Sequence, residues 1–149
     1  MAFDDLVAAT RSAVASRQRS APLRELRERT RSVPTARNVA SVLRAPGRVV
    51  SVIAEVKRAT ATFADLSGVG DVAVLARFYE AGGAACVSVV TEPVRSHGRL
   101  SDLDAVRGAV EVPVLANDVI VTPYQVHEAR AHGADMLVLD ARLEPLVLE

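Results

Sequence analysis

Glu55 and Lys57 stand two residues apart in the run Val52-Ile-Ala-Glu-Val-Lys-Arg58. Residues two apart on a β-strand share a face, so this run sets a carboxylate beside an ammonium. That face reads Ser51, Ile53, Glu55, Lys57, and the opposite one is wholly apolar, with Val50, Val52, Ala54 and Val56 suited to packing against helices. Charges inside a sheet protein are costly unless paired or used. Two readings stay open for the pair: a structural ion pair at the end of a strand, or a ligand-holding and proton-handling site. Further along, Leu115 and Asn117 share a face with Asp118 just beyond, and Met136, Val138 and Asp140 share another. If those faces point the same way, Asp140 joins Glu55, Lys57 and Asn117 around one rim, although an acidic residue there also ends a strand as a turn. His97, within Val94-Arg95-Ser96-His97-Gly98, reads as an exposed loop residue. The single cysteine, Cys86, lies in an apolar run and reads as a small buried hydrophobe rather than a nucleophile.

The elements that must position these residues alternate. Helical spacing runs from Phe3 to about Ser20 through Leu6, Val7 and Val14. A second helix begins at Pro22 and passes Leu23 and Leu26, and a third covers Asn38 to Leu43, stopped by Ala45-Pro46-Gly47. The pattern then changes to strands at Val49–Val56, Ala85–Val90, Val112–Ala116 and Met136–Leu139. Between them lie helices at Asp71–Ala81, closed by Gly82-Gly83, one opened by Ser101 with Asp104 three residues on, and one opened by Thr122-Pro123 and closed by Gly133. A last helical signal, Leu143–Glu149, is too short to cover a sheet. Strands alternating with helices predict βαβ units and a parallel sheet. The expected organisation is an N-terminal helical extension, 1–48, and four βα units, 49–149, in one domain overall.

Composition narrows the partners. Eighteen basic and eighteen acidic side chains leave a formal net charge of zero, without the basic field that nucleic acid or an anionic membrane recruits. Half of the residues are hydrophobic, enough for a folded core, yet no stretch is long enough to span a membrane and no signal-peptide pattern is present. With one cysteine the chain builds no internal disulfide, which suits a reducing compartment, the cytoplasm.

AEVKR at 54–58 resembles the first barrel strand of the indole-3-glycerol-phosphate synthase family. The resemblance continues through ARFYEAGGAA at 76–85, VSVVTEP at 87–93, Leu100–Val110, Pro113–Leu115 and VTPYQVHEARAHGADM at 121–136. It implies an α/β fold that is half of a (β/α)8 TIM-type barrel. It further implies a lyase of tryptophan biosynthesis that closes a pyrrole ring on a carboxyphenylamino-deoxyribulose phosphate, losing carbon dioxide and water, with no cofactor and no metal. Glu55 and Lys57 match the family's catalytic positions on that strand: the Lys holds the substrate carboxylate and assists proton transfer, and the Glu stabilises developing positive charge. Thr60, Leu115, Asn117, Val119 and Val138 fall at positions expected to contact substrate.

Several positions depart from the family pattern. The family's general acid is the Lys of a Lys-Asp pair, where this chain has Asn117-Asp118, and a following aromatic is Val119. Thr60-Ala61-Thr62 replaces Ser-Pro-Ser, and Val94–Gly98 lacks the aromatics usual in that loop. The phosphate-gripping loops of the second half-barrel lie outside this sequence. The expectation is therefore an indole-3-glycerol-phosphate synthase-like protein that is weak or inactive alone, or else a non-catalytic half-barrel acting as a binding or assembly module. Four parallel strands leave two open edges and an apolar inner wall of Ile53, Leu115 and Val138. The expected partners are a phosphorylated small molecule and either a second copy or a chain carrying the other half of the barrel.

Overall fold

The computed structural model describes residues 2–44, 46–47, 50–60 and 70–143. Three helices come first: α1 (Phe3–Ser20), α2 (Leu23–Ser32) and α3 (Val39–Leu43). They are followed by β1 (Ile53–Val56), α4 (Val72–Ala81), β2 (Cys86–Val90), α5 (Leu100–Arg107), β3 (Val114–Asn117), α6 (Pro123–Ala131) and β4 (Met136–Leu137). The four strands form one sheet in the order β1-β2-β3-β4, every neighbouring pair parallel.

Capping side chains set several helix starts. The Asn38 side chain accepts from the Ser41 N–H at 3.0 Å and the Asp71 side chain from the Ala73 N–H at 2.8 Å, each satisfying an otherwise orphaned donor. Gly83 (φ +88°) and Gly133 (φ +89°) turn the chain out of α4 and α6 in the left-handed region that glycine tolerates. Thr122 does precede α6, but its hydroxyl makes no capping bond and is buried without a partner. Gln125 acts instead, accepting from the Val121 N–H (2.8 Å) and donating to the Val119 carbonyl (2.9 Å).

The ladder register separates two faces. Glu55 is level with Ser88, Ser88 with Leu115, and Leu115 with Met136 on one face. On the other, Val56, Val87, Val89, Val114 and Ala116 pack with Val72, Ala76, Leu103, Val106 and Ala129 from the covering helices. This apolar layer is the main core. Helices α1 and α2 do not cross the sheet. They stack on α6, where Val14, Leu26, Tyr124 and Ala131 are buried together.

Four sequence expectations need correction. β1 begins at Ile53 rather than Val49; Val50 and Val52 are 73% and 53% exposed rather than packed against helices among the described residues. The ladder to β2 starts at Ile53↔Cys86, and β propensity without a pairing partner does not make a strand. α5 starts at Leu100 with Arg99 at its cap, so Ser101 lies inside the helix. Asp102 is drawn instead to Arg58, and Asp104 to His132. Leu115 is buried rather than part of a bare wall, because α3 lays Val39 and Leu43 against it and Cys86. The later strands shift too: β3 runs Val114–Asn117 rather than Val112–Ala116, and β4 ends at Leu137, two residues early. Val49, the segment 61–69 with Ala61 and Thr62, and most of the Leu143–Glu149 signal fall outside the described residues.

Gly98 is required by a close approach. A Cβ there would sit 2.3 Å from the Val90 carbonyl oxygen and 2.6 Å from the Thr91 carbonyl carbon, both backbone atoms that cannot move aside. Gly98→Ala is expected to lower stability by about 1–3 kcal/mol, read as a lower urea midpoint; an unchanged midpoint would mean the loop after β2 shifts freely.

Candidate functional site at the strand ends

The C-terminal ends of parallel strands gather side chains from several elements at one rim. Glu55 sits near the end of β1. Its Oε1 lies 2.9 Å from the Lys57 ammonium, and its Oε2 accepts from the Asn117 side-chain amide at 2.9 Å and from the Ser88 hydroxyl at 3.5 Å. Strand parity placed Glu55, Lys57 and Asn117 together, and the register delivers them. Burial pushes the Glu55 carboxyl up, yet the hydrogen bonds from Lys57 and Asn117 and the Lys57 charge outweigh it and hold it below its ordinary value.

Beside this trio, and reached by Lys57 and Asn117 but not Glu55, is an open cavity of about 540 Å³ lined also by Val90, Glu92, Arg95, Ser96, Asp118, Val119, Val138, Leu139 and Asp140, with Phe3 and Arg142 over one side. Asn117, Val119 and Val138 all line this cavity. Leu115 is one layer deeper, beneath Asn117 and level with Ser88. Thr60 is half-buried on the loop after Lys57 and does not line the cavity. Asp140 does both things considered for it: its carboxylate accepts from the Arg142 N–H (3.0 Å) in a turn, and it faces the cavity. The Arg142 guanidinium holds its carboxyl down at about 2. His97 sits in the loop after β2 with φ +54° and does not line the cavity. Cys86 is wholly buried and burial pushes its thiol up to about 11, which removes it as a nucleophile.

The loop after β2 is built on Glu92. Its carboxylate is buried and accepts from the N–H groups of Val94, Arg95 (2.9 Å) and Ser96 (3.0 Å), which turns Arg95 and Ser96 toward the cavity. Arg58, adjacent to Lys57 but of opposite parity, points to the helices and forms two bonds of 2.6 and 2.7 Å with Asp102 on α5. This pair anchors the end of β1. Phe3, Arg95, Ser96 and Arg142 were not singled out as site residues from sequence. Phe3 carries only a helix-periodic signal there, and its position over the Arg142 guanidinium, 3.7 Å from ring centre, depends on how α1 lies.

Asp118 is half-buried beside the site. Its oxygens accept from the Thr91 hydroxyl at 2.9 Å and the Val119 N–H at 2.7 Å. Burial pushes its carboxyl up to about 6, although those bonds and the Arg17 charge pull downward. A carboxyl raised in the folded state binds its proton there at a pH where the unfolded chain has lost it, so its contribution is full below about pH 4 and lost as pH rises through about 6. Glu55 has the opposite sign: its stabilisation is present above its ordinary value and lost as pH falls. Asp118→Asn is expected to remove the decline in urea midpoint between about pH 4 and 6. A wild-type midpoint that climbs through that window would show that Asp118 is not the governing group.

A parallel βα sheet with its polar cluster at the carboxyl ends of the strands, walled by the loops that follow them, defines the β/α-barrel class of catalytic scaffold. A family model described as indole-3-glycerol phosphate synthase matches residues 3–145, and the chain belongs to that family. Among curated relatives, the indole-3-glycerol phosphate synthases of Mycolicibacterium smegmatis and Mycolicibacterium vanbaalenii are 51% and 50% identical over 148 residues, each covering 99% of this chain and 54% of the relative. That of Mycobacterium avium (strain 104) is 50% identical over 137 residues, covering 92% of this chain and 50% of the relative. The chain thus spans about half the length of the curated relatives it matches. Family membership also brings a lyase ancestry in tryptophan biosynthesis.

Proposed function

We propose that the rim of this chain is the β1–β4 portion of an indole-3-glycerol-phosphate synthase site. It takes a carboxyphenylamino-deoxyribulose phosphate and contributes to its ring-closing decarboxylation, within the cytoplasm. The observation that carries this reading is the Glu55 carboxylate held at 2.9 Å by each of Lys57 and Asn117, the two of the trio that line the cavity. Lys57 is the group for the substrate carboxylate, and Glu55 the one for developing positive charge. Val119 and Val138 offer apolar contact and Thr60 a hydroxyl at the loop, with Leu115 as the floor beneath Asn117. Phosphate binding is left to groups outside these four βα units.

Asn117 favours a second reading, a binding module without turnover. An amide donates hydrogen bonds but does not release a proton as an acid, and Asn117 occupies the place where the resemblance implies the general acid. Both readings are tested by fusing this chain to the C-terminal half of the Mycolicibacterium smegmatis relative and following indole-3-glycerol phosphate formation. Slow but measurable turnover that Glu55→Gln abolishes supports a catalytic rim. Substrate binding that depends on Lys57, with no turnover, supports the binding module.

A further inference from the structure

Among the described residues, three cationic side chains line the cavity: Lys57, Arg95 and Arg142. Lys57 is shared with Glu55 at 2.9 Å. Arg142 is held by Asp140 at 2.6 Å and lies against the Phe3 ring. The carboxylates lining the same cavity are engaged as well. Glu92 is taken up by backbone N–H groups, Asp118 by the Thr91 hydroxyl and the Val119 N–H, and Asp140 by Arg142. Arg95 is left: its guanidinium makes no hydrogen bond or ion pair among the described residues. The backbone that carries it is nonetheless braced. The Arg95 and Ser96 N–H groups donate to the buried Glu92 carboxylate at 2.9 and 3.0 Å, and the Gly98 N–H closes the loop onto the Glu92 carbonyl at 2.9 Å. Burying a carboxylate is costly unless donors satisfy it. Here the donors are the amides of the loop itself, and the result is a fixed point from which the Arg95 side chain leaves.

We propose that Arg95 binds the carboxylate on the substrate's aminobenzoate ring together with Lys57, and that Glu92 is the positioning residue that holds Arg95 at the cavity. This rests on the reading of the rim as a site for a carboxyphenylamino sugar phosphate, and it names a binding group which that reading lacks. The charge balance calls for one. Glu55 and Lys57 together are neutral, so a carboxylate brought to Lys57 alone sits beside another carboxylate. A guanidinium from the neighbouring loop supplies the missing positive charge. Its planar fork matches both oxygens of a carboxylate, which an ammonium does not. Val90 and Val119 line the same cavity and give the attached ring an apolar side.

The test is fluorescence titration of this chain with 2-(methylamino)benzoate, which carries the ring, the amine and the carboxylate, and with its carboxamide, which lacks the charge. The wild type is expected to prefer the carboxylate. Arg95→Gln is expected to weaken carboxylate binding about tenfold, the reach of one charge-assisted contact at a partly open site, and to leave the carboxamide unchanged. Arg95→Lys recovers part of the loss, because it keeps the charge and loses the fork. Glu92→Gln weakens binding in the same direction, and adding it to Arg95→Gln weakens it no further, the non-additivity of a residue that acts through another. Glu92→Asp replaces it if Glu92→Gln does not fold by far-UV circular dichroism. Losses that simply add would overturn the role of Glu92. Carboxylate binding that Lys57→Gln weakens and Arg95→Gln does not would overturn the role of Arg95 and leave the rim reading standing, whereas no binding by the wild type would sink both. Displacement of the probe by inorganic phosphate as readily as by benzoate would also overturn the assignment, since Arg95 would then serve a phosphate.

Discussion

Asn117→Lys, placed in the fusion with the relative's C-terminal half, is expected to raise the rate of indole-3-glycerol phosphate formation about 100- to 10,000-fold, the usual reach of one well-placed general acid. Position 117 is already in the right place. It ends β3, its side chain touches Glu55 Oε2 at 2.9 Å, and it lines the same cavity as Lys57. A lysine there keeps the contact with Glu55 and adds a transferable proton, which the amide lacks. The measurement is the initial rate for both fusions at saturating substrate, with kcat and KM separated. A gain confined to KM would assign the new lysine to binding. No gain in either would move the defect to the wall of the site, where the Val94–Gly98 loop and Val119 stand in place of the aromatics that the family resemblance implies.

Asp135→Ala is expected to cost about 3–5 kcal/mol of folding stability. The Asp135 side chain is fully shielded from solvent, and the Arg107 side chain against it is 12% exposed. Its carboxylate accepts from the N–H groups of Arg37 and Val114, both at 2.9 Å, and from the Arg107 guanidinium at 3.2 Å. The Asp135 N–H in turn donates to the Val114 carbonyl at 2.8 Å. One side chain thus joins the segment before α3, helix α5 and the start of β3. Its removal strands a largely buried cation and two N–H donors, against a total stability that for small domains is about 5–15 kcal/mol. Urea unfolding followed by circular dichroism reads the change. A loss under about 1 kcal/mol, the range of a solvated surface pair, would mean that water replaces the carboxylate and that Asp135 ties nothing together.

These two residues mark different depths of legibility. Asn117 was readable because strand parity is a two-residue rule: once β3 is located, Leu115 and Asn117 must share a face, as must Glu55 and Lys57. Asp135, within the recognisable GAD segment, carried no sign of its load, because Arg37 and Arg107 come to it from 98 and 28 residues away. The same holds for Arg58, which sequence pattern grouped with the charged end of β1. Its partner Asp102 is 44 residues on and faces the helical layer.

By itself the sequence determined the local grammar: where α1 begins, that helices start within a residue of Asn38 and Asp71, that glycines end α4 and α6, and which residues of each strand point together. These are decided by dihedral preferences and hydrogen bonds spanning a few residues. Tertiary structure alone decided how far β1 extends, that α3 and not α1 or α2 covers Leu115, that Phe3 and Arg142 meet beside the rim, and that Phe78 and Leu139 stay bare. Each of those depends on which distant surface arrives to pair with or bury a side chain, and burial free energy is a property of the assembled surface rather than of the residue.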